Sequence, residues 1–328
     1  MFTHLLCLFG SLSIAYLVDA TVPPPQVRSN TLRLMQYNVE WLFLDYNKNA
    51  DCPGAGCTWN NKTEAVDHMN YVATVIDKFV PDIINLCEVE GINEVNALGA
   101  LLSPEYSGYL IPGTDTSTGQ NVGLLSKIPP VEPLSRSDAT YAYPVSGSSC
   151  GIDASSGGHS GVSKHSIAHF DWNGIRAAII SVHLIAYPTD PERCAKREAQ
   201  ALVIADIVEQ HVADGYEVVV MGDFNDYDDD VLDENTSRPT SNVLSIVKGN
   251  MLTNVAYKIP QQYRGTNWWD KNGDCEATAN EIVMIDHVLV TTGLLDRVES
   301  VGIYHGYPEY CGKMNSDHYP LIVNIRLD

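Results

Sequence analysis

Residues 217–226 read EVVVMGDFND, an apolar run that ends abruptly in glycine, acids and an amide. The consecutive apolar residues 218–221 predict a strand buried on both faces, as in the middle of an α/β sheet. Asp223 and Asn225 come directly after this strand. Because Asp and Asn beside a strand are commonly turn formers, this stretch alone predicts a central strand and no site.

The same arrangement recurs at other predicted strands, each of which carries or meets a polar side chain. Asn38 lies in the strand 32–39, Glu88 follows 83–87, His183 lies in 179–184, Asp286 and His287 follow 283–285, and Asp317 and His318 precede 320–325. Carboxylates gathered in apolar surroundings need a cation or a proton. Hard oxygen ligands select magnesium, manganese or calcium. The pattern therefore predicts a divalent-metal site built from separate strand ends.

Helices and strands alternate along most of the chain. Apolar residues at helical spacing predict a helix over 66–79, and Asp190-Pro191 begins another that runs to Gly215. Asn173-Gly174 between two strand-like runs predicts a β-hairpin. Further strands are expected at 122–125, 282–290 and 298–303, and 130–163 is predicted to be a long loop. Hairpins mixed with helices favour a mixed sheet packed on a second sheet, with helices outside.

The motifs at the strand ends, taken in order, resemble a known family. They are YNVEW (37–41), LCEV (86–89), SVHL (181–184), GDFN (222–225), IDH (285–287) and SDHYP (316–320). The set is similar to that of the endonuclease/exonuclease/phosphatase superfamily, the deoxyribonuclease-I-like fold, over about residues 32–326. The resemblance implies a four-layer α/β sandwich with two central mixed β-sheets flanked by helices. It also implies one catalytic domain, residues 31–328.

The resemblance assigns a role to each polar strand-end residue. Asn38, Glu88 and Asp317 match the metal-binding residues, with Mg²⁺ or Mn²⁺ as the implied ion. Asp223 and Asn225 match the pair that orients the scissile phosphate, His318 the histidine that activates water, Asp286 the acid that orients it, and His183 the general acid. The usual acidic partner of that last histidine is not evident here. Lys164 falls near a phosphate-contacting arginine of deoxyribonucleases and is the expected substrate-binding residue.

The segment 264–270, RGTNWWD, is similar to a segment of secreted nucleases and favours one substrate class. The resemblance thus implies an endonuclease acting on DNA or RNA, expected to be a monomer without a stable membrane anchor. A sphingomyelinase-type phospholipase C would use the same centre, with Trp268-Trp269 as a membrane-inserting pair. A catalytically inactive binding relative is the third alternative, although every core position is filled.

The net charge of the chain limits how it could bind a polyanion such as nucleic acid. The 328 residues contain 20 Lys and Arg against 41 Asp and Glu, for a net charge of −21. This balance argues against a protein that coats nucleic acid through a broad basic face. It is compatible with an enzyme whose bound cation supplies the positive charge.

The N-terminal residues and the cysteines predict secretion. Residues 1–20 are apolar and end in Val18-Asp19-Ala20, which is typical of a signal peptide, and 21–30 is a proline-containing linker. Without Cys7, seven of the eight cysteines remain, so one is unpaired. Cys87, inside an apolar run, is the expected free thiol. The simplest pairs are Cys52–Cys57, Cys150–Cys194 and Cys275–Cys311, and Asn61 and Asn235 begin glycosylation sequons.

A second metal site is a weaker expectation. Asp270, Asn272, Asp274 and Glu281 stand at positions 1, 3, 5 and 12 of a calcium-loop pattern. The glycine normally at position 6 is replaced by Cys275. An acidic surface turn explains the same residues, so both interpretations stay open.

Overall fold

Two mixed β-sheets lie face to face at the centre of the protein, which we describe from a computed structural model covering residues 30–45, 59–274, 277–306 and 316–328. The strands in these ranges are β1 (Thr31–Leu42), β2 (Ile83–Val89), β3 (Ser107–Tyr109), β4 (Asn121–Ser126), β5 (Tyr141–Tyr143), β6 (Gly158–Ser160), β7 (His165–Trp172), β8 (Ile175–His183), β9 (Glu217–Asp223), β10 (Leu252–Asn254), β11 (Asn267–Trp268), β12 (Ile282–Val283), β13 (Asp286–Thr291), β14 (Val298–Ile303) and β15 (Leu321–Arg326). The α-helices are α1 (Lys62–Asp77), α2 (Ile92–Leu102), α3 (Pro191–Ala213), α4 (Val243–Lys248) and α5 (Thr292–Leu295).

The two large sheets each combine parallel and antiparallel pairs. The first has the order β14-β15-β1-β2-β4-β3, with β1 parallel to β2 and antiparallel to β15. The second has the order β10-β13-β9-β8-β7, with β8 parallel to β9. Helices α1 and α2 cover the first sheet, and α3 and α4 cover the second. This is the predicted four-layer α/β sandwich.

Strand β9 shows why the apolar run of 217–226 lies in the middle. Val219 and Met221 point into the core between the sheets, whereas Val218 and Val220 pack under α3 and α4. All four side chains are fully buried. A strand with both faces covered has no place for a polar side chain until it ends, and β9 ends in Asp223.

Two local predictions are confirmed in detail. Asn173 and Gly174, at φ +56° and +91°, form the turn between β7 and β8. Helix α3 begins at Pro191, and the Asp190 carboxylate caps it by accepting a hydrogen bond from the Arg193 amide at 2.8 Å.

The prediction of one continuous strand over 282–290 is wrong. Its first part, β12, pairs with β11 in a separate ribbon, and its second part, β13, joins the second sheet. Between them the Thr266 hydroxyl accepts hydrogen bonds from the amides of Ile285 and Asp286 at 3.0 and 2.9 Å. These bonds replace ladder bonds where the chain changes sheets. Helix α2 was not predicted from the sequence.

Of the expected disulfides, the structure contains Cys150–Cys194, which ties the long loop to α3. Cys87 is a buried free thiol, as predicted. Cys52, Cys57, Cys275 and Cys311, like residues 1–20, lie outside the described residues. In the part of the chain that the structure covers, no helix is long and apolar enough to cross a bilayer.

Candidate active site

The register of the second sheet places three of the predicted residues side by side. Asp223 at the end of β9 pairs with His183 on β8 and with Asp286 on β13. In the facing sheet, Asn38 on β1 pairs with Cys87 on β2, one residue before Glu88. The strand ends of both sheets therefore converge on one buried polar cluster, as the sequence predicted.

His318 and Asp286 form a polarised pair. The His318 Nδ1 atom lies 2.7 Å from Asp286 Oδ2, and both side chains are buried. Because a carboxylate accepts, Nδ1 carries the hydrogen and Nε2 is left as the proton acceptor. Burial alone would lower the pKa of His318. The carboxylates of Asp286, Asp317 and Asp223 outweigh burial and hold that pKa well above its usual value.

His183 has a different environment. Its Nε2 atom lies 3.7 Å from Asp223 Oδ2 and 3.9 Å from Glu88 Oε1. Its Nδ1 atom is buried and has no hydrogen-bond partner among the described residues, which agrees with the missing acidic partner. Burial, then the charges of Lys164 and His318, lower the pKa of His183 well below its usual value. The surroundings thus raise the pKa of His318 and lower the pKa of His183.

The carboxylates at the centre of the cluster are poorly solvated. The Asn38 amide nitrogen donates to Glu88 Oε1 at 3.2 Å and to Asp223 Oδ2 at 3.1 Å. Burial and the neighbouring charge of Asp286 raise the pKa of Asp223 to about 7. Partial burial raises the pKa of Asp317 to about 6. Acids that keep a proton to such a pH are sites where a cation would be favourable.

The residues present fit a divalent cation. Ligand atoms of Glu88, His183 and Asp223 lie within 4.8 Å of one another, and so do those of Asp223, Asp286 and His318. Glu88 and Asp223 supply the hard oxygen donors that would hold the ion, and a ligand role for Asp317, whose Oδ1 atom lies 3.8 Å from His318 Nε2, stays a prediction. Asn38 lies at the site, but its oxygen accepts a hydrogen bond from the Glu40 amide at 3.0 Å, so its role as a ligand stays a prediction.

Several residues that hold the site residues in place were not predicted from the sequence. Gln36 donates to Asp286 Oδ1 at 3.0 Å and accepts a hydrogen bond from Asn85 at 2.5 Å. The Ser316 hydroxyl donates to Asn38 O at 2.7 Å and accepts from the His318 amide at 3.0 Å. The signal for Gln36 was its position two residues before Asn38, on the same face of a buried strand.

Replacing Gln36 with methionine tests its role as a positioning residue. The change keeps the volume but leaves Asp286 Oδ1 without its donor, so we expect turnover to fall about tenfold. The pKa of His318, which Asp286 helps to raise, should also change, because the Asp286 carboxylate loses its fixed orientation. An unchanged pH profile in a normally folded Gln36→Met protein would contradict this role.

Lys164 lies beside the cluster and is only 8% exposed. Its Nζ atom is 3.3 Å from Gln120 Oε1, to which it donates, and 3.6 Å from Asp115 Oδ2. Its charge contributes to the lowered pKa of His183, so it faces the same site. Contact with substrate phosphate stays a prediction.

The residues of the expected calcium loop have other partners. The buried Glu281 carboxylate accepts hydrogen bonds from the Thr278 amide and hydroxyl, the Lys271 amide and the Trp268 indole, at 2.9–3.4 Å. Asn272 donates to Asp274 at 2.9 Å, and Asp270 accepts from the Gly273 amide at 2.7 Å. These bonds are those of a closed polar turn, and calcium binding there stays a prediction.

Comparison with known proteins decides the family. The sequence model of the Endonuclease/Exonuclease/phosphatase family matches residues 35–318, which include every strand-end site residue from Asn38 to His318. The chain belongs to this family. Its members are metal-dependent phosphodiester hydrolases, and the buried histidine and carboxylate centre described above is the candidate active site of this chain. A search of curated proteins returns no significant match.

Solved structures show the same family fold at low sequence identity. An AP endonuclease from Archaeoglobus fulgidus superposes with a TM-score of 0.58 at 16% identity, over 89% of this chain and 98% of that one. Truncated Caenorhabditis elegans TDP2 gives 0.56 at 17%, over 90% and 97%. The 3′ phosphatase NExo from Neisseria, bound to product DNA hairpin, gives 0.56 at 15%, over 90% and 99%.

Proposed function

We propose that this hydrolase is a secreted, magnesium-dependent endonuclease that cleaves DNA or RNA as a monomer. The observation that carries the proposal is the pair of unlike histidines around one carboxylate. His183 and His318 place their Nε2 atoms 3.7 and 3.9 Å from the same Asp223 Oδ2. Hydrolysis of a phosphodiester needs a base for water and an acid for a poor alkoxide leaving group, and two histidines supply both.

His318 is the base in this mechanism. Asp286 fixes the ring and stabilises its cation, so Nε2 can take the proton of an attacking water. His183 is the acid, and it can take up its proton when an anionic phosphate, which raises its pKa, occupies the site. Glu88 and Asp223, with Asp317 as the family resemblance implies, would hold a divalent ion, which would supply charge stabilisation for the phosphate oxygens.

Asp223 and Asn225 form the wall next to the phosphate. The Asp223 Oδ1 atom accepts the Asn225 amide at 2.8 Å, and the Asn225 side chain donates to Leu184 O at 3.1 Å. Asn225 has a φ of +51°, a conformation that asparagine tolerates better than most residues. The loop is thereby fixed, and its amide group is oriented before substrate binds.

Nucleic acid is favoured over lipid by the surface beside the site. Trp268 donates its amide to Asp317 O at 2.9 Å, and the neighbouring Trp269 is 67% exposed. An exposed indole one residue away from this contact with Asp317 is suited to stacking on a nucleobase. The other large exposed apolar side chains of the described residues are scattered and include no apolar hairpin for a bilayer. Two of the structural neighbours are an AP endonuclease and a 3′ phosphatase bound to a DNA hairpin, and this supports a nucleic acid substrate here.

Cleavage of supercoiled plasmid and of a structured RNA, with Mg²⁺ and with a chelator, tests the proposal. We expect nicking that needs the metal and that Glu88→Gln, which removes a charged ligand, shifts to higher Mg²⁺. Sphingomyelin vesicles serve as the parallel substrate. Release of phosphocholine without cleavage of either nucleic acid would replace the proposal by the phospholipase alternative. No hydrolysis at all would favour the inactive relative.

Secretion is supported by observations of its own, and the monomeric state is tested beside it. The Cys150–Cys194 disulfide suits an oxidising compartment, and Asn61 of the first sequon is exposed. Expression of the full chain in a secreting host, followed by N-terminal sequencing and light scattering of the product, tests both. Retention in the cell with residue 1 intact would overturn the secretory part alone.

A further inference from the structure

Two histidines meet on the outer side of the second sheet, away from the active site. His169 lies on the edge strand β7 and His211 in the last turn of α3, and their Nε2 atoms are 2.9 Å apart. The ring centroids are 5.0 Å apart and the ring planes differ by 23°. The rings therefore meet edge to edge, with the two Nε2 atoms directed at each other.

The Nδ1 atom of each histidine donates a hydrogen bond to an oxygen atom. His169 Nδ1 lies 2.6 Å from Glu132 Oε1, and His211 Nδ1 lies 2.6 Å from Ile207 O. A carboxylate and a carbonyl can only accept, so each Nδ1 carries its ring's hydrogen. In two neutral rings, both Nε2 atoms then present lone pairs to each other at contact distance. Such an arrangement is repulsive unless a proton or a metal ion lies between the nitrogens.

We propose that His169 and His211 form a binding site for one divalent transition-metal ion of the zinc class. Nε2 ligation with Nδ1 donating to a carboxylate or a backbone carbonyl is the usual arrangement around such ions. Two imidazoles at about 2.0–2.1 Å from one tetrahedral ion need nitrogens a few tenths of an ångström further apart than here. Both side chains are only partly buried, so water can complete the coordination.

The surrounding charges are mixed. Glu132, on the loop before β7, is the facing anion. Arg176 on β8 stacks on Tyr216 at 4.1 Å, and Tyr216 contacts both histidines. Burial, together with the neighbouring His211, lowers the pKa of His169. A neutral His169 at neutral pH keeps its lone pair available for a metal ion.

The site is separate from the catalytic centre. His169 pairs with Ala178, which precedes His183 by five residues on β8. At the rise of a strand this places the two sites roughly 16 Å apart. An ion here would clamp the edge hairpin β7–β8 to α3, and would act on stability rather than on the chemical step.

Zinc binding to the intact chain tests the proposal, with excess Mg²⁺ present to occupy the catalytic centre. Calorimetric titration of wild type, His169→Gln, His211→Gln and the matched control His159→Gln, an exposed histidine on β6, should separate the sites. We expect the two pair variants to lose one zinc equivalent, or to bind it at least tenfold more weakly. The control and Glu88→Gln should keep it.

A second variant and a second readout make the outcome decisive. Glu132→Gln should weaken zinc about ten- to a hundredfold, because it weakens the fixed tautomer without removing a ligand. Zinc should raise the melting temperature of wild type and of His159→Gln, but not of His211→Gln. The same zinc stoichiometry and affinity in all variants would overturn the proposal. So would a wild-type pair that takes up one shared proton and binds no zinc.

Discussion

His318→Ala is expected to lower turnover of a phosphodiester by about 10²–10⁴-fold, the usual effect of losing a positioned base. The structure gives this histidine the fixed tautomer of a base, with Asp286 at 2.7 Å from Nδ1 and with Nε2 facing the carboxylates of Asp223 and Asp317 at 3.9 and 3.8 Å. The fold should survive, because the side chain lies at the end of the sheets and not in their apolar core. Substitution of the exposed His159 provides the control for loss of a histidine.

The pH dependence of turnover tests the same assignment of His318 as the base. A base works in its neutral form, and the carboxylates around His318 raise its pKa. The rate of the wild type should therefore rise with pH until His318 is neutral. A bound cation offsets those carboxylates, so more metal should move the rise to lower pH. His318→Ala should lose this limb, and turnover close to wild type would contradict the assignment of the base.

Gly222→Ala is expected to cost at least about 3 kcal/mol of unfolding free energy, or to prevent folding. A Cβ atom at residue 222 would lie 1.8 Å from Val182 O and 2.7 Å from the carbonyl carbon of that residue. These are backbone atoms of β8, which is paired to β9 through seven registered residue pairs and cannot move alone. The glycine of the GDFN motif is thus required by the close approach of two strands.

Denaturant unfolding of Gly222→Ala beside Gly91→Ala measures the effect. A Cβ at Gly91 would meet only the Glu94 carboxylate oxygen, at 3.4 Å, so this control should lose less than about 1 kcal/mol. Equal midpoints for the two variants would show that β8 and β9 tolerate separation at this point.

The sequence allowed the site to be predicted because the strands are buried and their ends are polar. The apolar residues of β9 face both sides of the sheet. Asp223, the first charged residue after them, could therefore only lie where the strand ends. The ordered motifs then located His183 and Asp286 on β8 and β13, the neighbours of β9, and His318 just before β15 of the facing sheet. All three lie in one cluster around Asp223.

What the sequence did not predict depends on contacts between distant segments. The break between β12 and β13 follows from the Thr266 hydroxyl, nineteen residues before Ile285. The unpartnered Nδ1 of His183 depends on what surrounds it in space, which residue types alone do not define. His169 and His211, forty-two residues apart, are single histidines in the sequence and a pair only in the fold.

The most direct test of the acid–base centre compares two leaving groups. Oligonucleotide cleavage and hydrolysis of a p-nitrophenyl nucleotide diester, whose leaving group departs as a stable anion without a proton, are measured for wild type, His183→Ala and His318→Ala. If His183 protonates the leaving group, His183→Ala should lose about 10²–10⁴-fold on the oligonucleotide and at most about tenfold on the aryl ester. His318→Ala should lose activity on both. Equal losses of His183→Ala on the two substrates would contradict the assignment of acid and base.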